Sequence, residues 1–139
     1  MLKFKNICFI VIIGGNVMDT KKVGEINERI IKLLGLNLCA CTPIIIGRQN
    51  ILHMIKQHPT DYLKYGGMIE DIIKTPTYVS RNPRQQSIEY IKVYTKNKDH
   101  VLLAIRISGR GVYFARTLFI MSVEKIKKYI EKDALIPYM

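Results

Sequence analysis

Three runs rich in β-branched and aromatic residues, Ile88–Thr95 (IEYIKVYT), Val101–Ser108 (VLLAIRIS) and Val112–Met121 (VYFARTLFIM), follow one another with only Lys96–His100 and Gly109-Arg110-Gly111 between them. Links this short cannot carry the chain back across a sheet, so they predict an antiparallel meander. With Gly109-Arg110 at the tip of the last hairpin, Arg106 lies opposite Tyr113, Ala104 opposite Ala115 and Leu102 opposite Thr117 on one face. Ile107/Val112, Ile105/Phe114 and Leu103 against Arg116 take the other face. One face is then packed, and the other is a shallow floor of alanine bearing Arg, Tyr and Thr. Arg116 has the parity of the packed face: either a bulge turns it to the polar side or it snorkels out at the margin of the core.

Ahead of the meander the periodicity is helical. Val23, Ile26, Ile30, Leu33 and Leu34 recur at three- and four-residue spacing, which predicts a helix from a Thr20 cap to a Gly35 stop. Pro43–Gly47 reads as a short buried strand. Arg48–His58 reads as a helix with Ile51, Leu52 and Ile55 on its apolar face, ended by Pro59. Thr60 or Asp61 caps a further helical stretch through Tyr62, Leu63, Ile69, Ile72 and Ile73, weakened at Gly66-Gly67. After the meander, Ser122 caps a helix over Val123–Lys132 with Ile126 and Ile130 inward. The expected class is α+β: N-terminal helices packed on a mainly antiparallel sheet of about four strands, with a closing C-terminal helix.

With 139 residues, 48% of them hydrophobic, the chain can build a core without disulfides, and neither a disordered nor a repeat architecture fits. Its 22 Lys and Arg against 11 Asp and Glu leave a formal net charge of +11, weighted towards residues 81–139. Such an excess points to an anionic partner, with nucleic acid and anionic lipid first, although charge alone also serves solubility. Cys8, Cys39 and Cys41 are an odd set with two members one residue apart, which suits a reducing, cytoplasmic compartment better than a disulfide framework. Residues 1–18 form an apolar leader in which Lys3 and Lys5 precede Ile7–Ile13. That run is too short to span a bilayer, so no stable membrane insertion is expected. It reads either as an extension upstream of a start at Met18 or as an edge strand. Residues 19–42 then read as an N-terminal helix and linker, and residues 43–139 as the main domain.

His53 and His58 are the best acid/base candidates, because imidazole titrates nearest neutral pH. A spacing of five puts them roughly 140° apart on an ideal helix, so both cannot point straight into one site from mid-helix. Cys39-x-Cys41 followed by His53 and His58 approaches a zinc-finger spacing, but the cysteines are one residue too close and a strand occupies the gap. Gly14-Gly15, Gly66-Gly67 and Gly109-Arg110-Gly111 lack phosphate-loop spacing, and no paired-carboxylate motif stands out, which disfavours a metal-dependent nuclease. No cofactor is expected. The basic residues of the last helix, Lys125, Lys127, Lys128 and Lys132, read as a solvated face or as phosphate contacts. Arg81 and Arg84, in the loop before the meander, join Lys56 and His58 as substrate-binding candidates.

The segment IGRQNILHMIKQHPTDYLKYGGMIEDIIKTPTYV, followed by strands ending in VYFARTLFIM, resembles the phage-type nucleases of the Barnase-EndoU-Colicin-RelE fold, the PBECR group. The resemblance runs over about residues 43–130 and implies a metal-independent endoribonuclease, phage or mobile-element associated and toxin-like. Its site would be built from helix residues and one sheet face. It implies roles for His53, and for Lys56 and His58, from the helix match. From the strands it implies roles for Arg106, Tyr113, Arg116 and Thr117. RNA carries its own nucleophile, the 2′-hydroxyl. The chemistry therefore needs a base and an acid, either of which His53 suits, guanidinium groups such as Arg106 and Arg116 on the phosphate, Thr117 to hold a phosphate oxygen, and Tyr113 to stack on a base or donate a proton. RNA is the implied partner, with the ribosome or tRNA as targets and an inhibitor or antitoxin protein as guard. Two other readings stay open: a non-catalytic RNA- or ribosome-binding module, and a membrane-associated protein using the leader and the basic surface.

Overall fold

Ile44, Ile45 and Ile46 are all buried, with no polar alternation between them, which is the signature of a strand covered on both faces. They belong to β3 (Thr42–Gly47), which is hydrogen-bonded on both sides in the computed structural model. The structure describes residues 8–13 and 16–139, with side chains from residue 19 onward. On one side β3 runs antiparallel to β2 (Asn16–Ile26), which pairs in turn with the edge strand β1 (Cys8–Ile13). On the other side it runs parallel to β7 (Tyr113–Ile120). A parallel pair needs a long crossover, and residues 48–112 supply it.

That crossover holds α2 (Arg48–Gln57), α3 (Pro59–Tyr65), a 3-10 turn at Gly66–Met68 and α4 (Ile69–Lys74). The strands β4 (Tyr78–Asn82), β5 (Ser87–Tyr94) and β6 (Asp99–Ile107) follow. After β7 the chain forms α5 (Val123–Glu131) and returns as β8 (Ile136–Pro137) along the edge of β4. The sheet order is β1-β2-β3-β7-β6-β5-β4-β8. The α+β class and the closing helix stand as expected. The expectation of about four strands is corrected to eight among the described residues, because the N-terminal segment and the Tyr78–Asn82 stretch extend the meander on both sides. The start of the apolar leader, residues 1–7, lies outside the described residues.

The helix expected from Thr20 is instead β2 as far as Ile26, followed by α1 (Glu28–Leu34). Asn27 caps it, accepting from the Ile30 N–H at 2.9 Å, and Gly35 ends it in the left-handed region at φ 63°. The β2–β3 register slips between Lys22 and Gly24, so Val23 is the extra residue of a bulge. A bulge lets residues three apart face the same side, and Val23 and Ile26 both reach the core; in the sequence that spacing imitates a helix.

Two cores lie on opposite faces of the sheet. The larger takes Ile30 and Leu34 of α1, Met54 of α2, Ile69, Ile72 and Ile73 of α4, and Tyr90, Leu103, Ile105 and Leu118 of the strands. The smaller joins Ile91, Leu102, Ala104 and Met121 to Ile126 and Tyr129 of α5. Two apolar faces are corrected. On α2, Met54 is buried, whereas Leu52 and Ile55 are 57% and 41% exposed; on α5, Tyr129 packs inward and Ile130 is 58% exposed.

Gly24 sits where α4 crosses β2: a Cβ there would lie 2.5 Å from Ile73 Cγ2, the stiff methyl of a buried β-branched side chain. Gly24→Ala is expected to cost ~1–3 kcal/mol through overpacking, read as a lower urea midpoint with an unchanged slope. A midpoint equal to that of the wild type would show that α4 does not bear on β2 at this point.

Candidate active site

Register across β4, β5, β6 and β7 arranges their side chains in rows. Tyr78, Ile91, Leu102 and Phe119 form the first row on one face of the sheet, and the smaller core beneath α5 covers it. Ser80, Glu89, Ala104 and Thr117 form the next. Asn82, Ser87, Arg106 and Phe114 form the third. The second and third rows lead out from under the helix into a cleft of about 380 Å³. Glu89, Ala104, Thr117, Asn82 and Arg106 line it from the sheet, His53, Gln57 and His58 from the α2 end, Arg116 from β7, and Lys125 and Tyr129 from α5.

The β6–β7 hairpin departs from the expected register, and the cleft depends on the difference. Ser108 and Val112 close the turn, the Ser108 N–H donating to the Val112 carbonyl at 2.7 Å, and Gly111 takes φ 81°. The loop therefore has three residues instead of two, which is the form that needs a left-handed position before the second strand. Arg106 pairs with Phe114 and Ile107 with Tyr113, so the expected Arg106/Tyr113 pair is corrected. Tyr113 packs on the larger core and, with Arg81 and Leu36, lines a separate hollow of about 290 Å³. It does not join the cleft. Further along, Ile105 pairs with Ala115 but Ala104 pairs with Thr117, leaving Arg116 as the extra residue. The three-residue turn already gives Arg116 the parity of the cleft face, and the bulge brings Thr117 to that face beside Ala104, so the expected Ala104/Ala115 and Leu102/Thr117 pairs become Ala104/Thr117 and Leu102/Phe119.

Both histidines reach the cleft, against the expectation from helical spacing. α2 ends at Gln57, and His58 has left the helix at φ −142°, ψ 69°, so the 140° separation does not apply to it. Its ring packs on Phe119 with centroids 5.1 Å apart. Asp61 holds the segment down, its carboxylate accepting from the Ile120 N–H at 2.9 Å.

At the centre of the floor is a carboxylate that sequence reasoning missed. Glu89 is only 6% exposed, and the Tyr129 hydroxyl donates to it at 2.8 Å. Burial pushes its carboxyl above the usual range, opposed by Tyr129, by the charge of Lys125, and by Asn82 and Ser80. Burial and the neighbouring carboxylate in turn push Tyr129 up, which keeps its hydroxyl a donor. The signal was present in IEYIKVYT: a lone acid on the same strand face as Ser87 and Ile91, one residue out of phase with the core positions Ile88 and Tyr90. Ser87, beside Arg106, keeps a buried hydroxyl with no hydrogen-bond partner among the described residues.

The remaining candidates lie elsewhere. Lys56 is exposed on α2 and Arg84 in the β4–β5 turn, and neither lines the cleft. The Arg81 guanidinium donates to the Leu34 carbonyl at 3.3 Å, finishing the end of α1. Cys39 and Cys41 are exposed before β3, and no group of three His, Cys, Asp or Glu side chains suited to a metal comes together among the described residues. No helix among the described residues is long and apolar enough to cross a membrane.

Residues 21–128 match the family model described as PBECR3, phage-Barnase-EndoU-ColicinE5/D-RelE like nuclease3. Nothing among curated proteins or solved structures matches.

The raised Glu89 pKa has a consequence for stability. The folded state holds this proton more tightly than the unfolded state, whose carboxyl titrates near ~4.3. The carboxyl is accommodated best at low pH, and stability falls as pH rises through the interval up to the raised value. Glu89→Gln removes the titration and keeps an acceptor for Tyr129. It is expected to be more stable than wild type at neutral pH, with urea midpoints converging on acidification; a constant offset between the two proteins across pH would refute this.

Proposed function

The chain belongs to the PBECR3 family of phage-Barnase-EndoU-ColicinE5/D-RelE-like nucleases, and from that membership we propose that it is a metal-independent endoribonuclease acting by attack of the RNA 2′-hydroxyl on the adjacent phosphorus. The observation that carries the reading is a single cleft in which a buried carboxylate, two imidazoles and three cationic side chains converge on an alanine-floored hollow. Transphosphorylation asks for that set: one group to take a proton, one to give a proton, and fixed positive charge where the phosphorane becomes more negative.

In this reading Glu89 takes the 2′-hydroxyl proton as the oxygen attacks phosphorus. Burial makes it a stronger base than an exposed carboxylate, and Tyr129 fixes its orientation. The bond from phosphorus to the 5′-oxygen breaks, and the His53 imidazolium supplies the proton that this oxygen needs to leave. The products are a 2′,3′-cyclic phosphate and a 5′-hydroxyl. Arg106 and Arg116 converge on the non-bridging oxygens with donors that stay charged, Lys125 adds a third positive charge, and Thr117 offers a hydroxyl. His58, seated on Phe119, borders the same cleft and supports substrate from the side. The phage character of the family supports a toxin-like role in the cytoplasm against ribosomal or transfer RNA, held in check by an inhibitor protein.

Purified protein in excess EDTA is expected to cut RNA, to leave cyclic phosphate ends, and to spare DNA, which has no 2′-hydroxyl. His53→Ala, Glu89→Gln and Arg106→Ala should each slow cleavage by about a hundredfold or more, the scale of a lost acid, base or charge stabiliser. Loss of cutting in EDTA with recovery on adding magnesium would overturn metal independence. Binding of RNA without cleavage would favour the non-catalytic binding module instead.

A further inference from the structure

The cleft does not end at Lys125. A trough of about 320 Å³ continues from it between α5 and β4, sharing Asn82, Glu89, Lys125 and Tyr129 with the cleft and extending past Lys128 and Lys132. Lys128, Tyr129 and the C-capping Lys132 lie three, four and seven residues after Lys125, so the four form one stripe along α5, ~10 Å long from first to last at 1.5 Å per residue. The helical acids Glu124 and Glu131 stand four residues before and three after Lys128, yet among the described residues neither Lys128 nor Lys132 makes an ion pair. Lys128 and Lys132 are like charges at i,i+4, an arrangement that weakens a helix until an anion neutralises it. Among the residues lining the trough, Glu89 at the cleft end is the one acid.

We propose that this trough seats the sugar-phosphate backbone of a single nucleic-acid strand flanking the bond that is cut, with Lys128 and Lys132 on successive phosphates. The proposal rests on the ribonuclease reading for what happens in the cleft, and deepens it by naming the substrate as an extended polynucleotide in place of a dinucleotide. The lysines lie along one wall, opposite Ser80, Arg81, Asn82 and Pro83 of the β4 side, where the Arg81 guanidinium is engaged by the Leu34 carbonyl, so the trough offers free cations to one backbone and not to the two of a duplex.

The test uses binding, so that it does not depend on catalysis. A fluorescent 2′-O-methyl RNA of about ten nucleotides cannot undergo the 2′-hydroxyl attack, and anisotropy reads its affinity across salt concentrations. Each lysine–phosphate contact in a single strand contributes about 0.7 to the slope of log K against log salt. Lys128→Ala/Lys132→Ala should therefore lower that slope by about 1.4, and should erase at least about tenfold of the affinity advantage of the ten-mer over a dinucleotide. Lys74→Ala/Lys96→Ala, which removes the same charge outside the trough, should change the slope by less. Equal slopes for the two double variants, no length advantage in the wild type, or tighter binding of a duplex of the same length would each overturn the proposal. If the slope falls as expected but native RNA stays uncut, the trough stands and the ribonuclease reading alone fails.

Discussion

The cleft depends on one residue out of step. β6 and β7 pair in a single register from the hairpin to Ile105/Ala115, and in another from Ala104/Thr117 onward. Carried on past Ile105/Ala115, the hairpin register would set Arg116 opposite Ala104 on the cleft face, but would send the Thr117 hydroxyl to the larger core opposite Leu103 and Leu118 out to the cleft side. The bulge keeps Arg116 on the cleft face, adds Thr117 to that face beside Ala104, and returns Leu118, which is fully buried, to the larger core opposite Leu103. Because β7 also pairs in parallel with β3, the bulged strand is held from both sides. The hydrogen bond from Ile120 to Asp61 then ties the start of α3, and with it His58, to the same strand. The floor and the histidine wall therefore share one structural element.

Glu89 shows the same trade in its energetics. A carboxylate at 6% exposure in the middle of a sheet is a worse choice for stability than an apolar residue, even with a tyrosine hydroxyl on one oxygen and Lys125 nearby. Folding accepts it because the surrounding rows are small or polar: Ala104 on one side in β6, Ser80 on the other in β4. A cost of this kind, placed at the meeting point of two imidazoles and three cations, is what the proposed acid/base role of Glu89 would account for.

Much of this was legible in the chain. The strands of the meander, the break at Gly66-Gly67, the Ser122 cap and the stop at Gly35 follow from local rules that tertiary context did not override. A two-residue turn gave Arg116 the parity of the packed face and left a bulge or snorkelling open; the three-residue turn removes that conflict, and the bulge found at Arg116 instead shifts Thr117 and Leu118. What failed depended on single-residue offsets. Gly109-Arg110-Gly111 is compatible with a two- or a three-residue turn, and only the left-handed Gly111 decides; the choice moves Tyr113 to the other side of the sheet. A second bulge, at Val23, gave a strand the spacing of a helix. Helical geometry was applied to His58 one residue past the point where the helix ends. Glu89 escaped because acids were sought in pairs, whereas this one finds its partners across strands and on α5.

The position of α5 joins these strands of argument. With no fully buried residue of its own, it is held by Tyr129, Ile126 and the Ser122 cap, whose hydroxyl accepts from the Lys125 N–H at 3.1 Å. Tyr129 makes two contributions: it packs against the smaller core, and it donates to Glu89. Docking the helix therefore orients the carboxylate and, by the same rotation, turns Lys125, Lys128 and Lys132 along the trough. Lys125 lies 5.3 Å from the centroid of the Phe119 ring, on which His58 also packs, so the helix, the histidine wall and the strand meet at one aromatic side chain. A loosely held helix would blur the lysine stripe and the orientation of Glu89 together, and so couple the proposed strand trough to the proposed proton acceptor in the cleft.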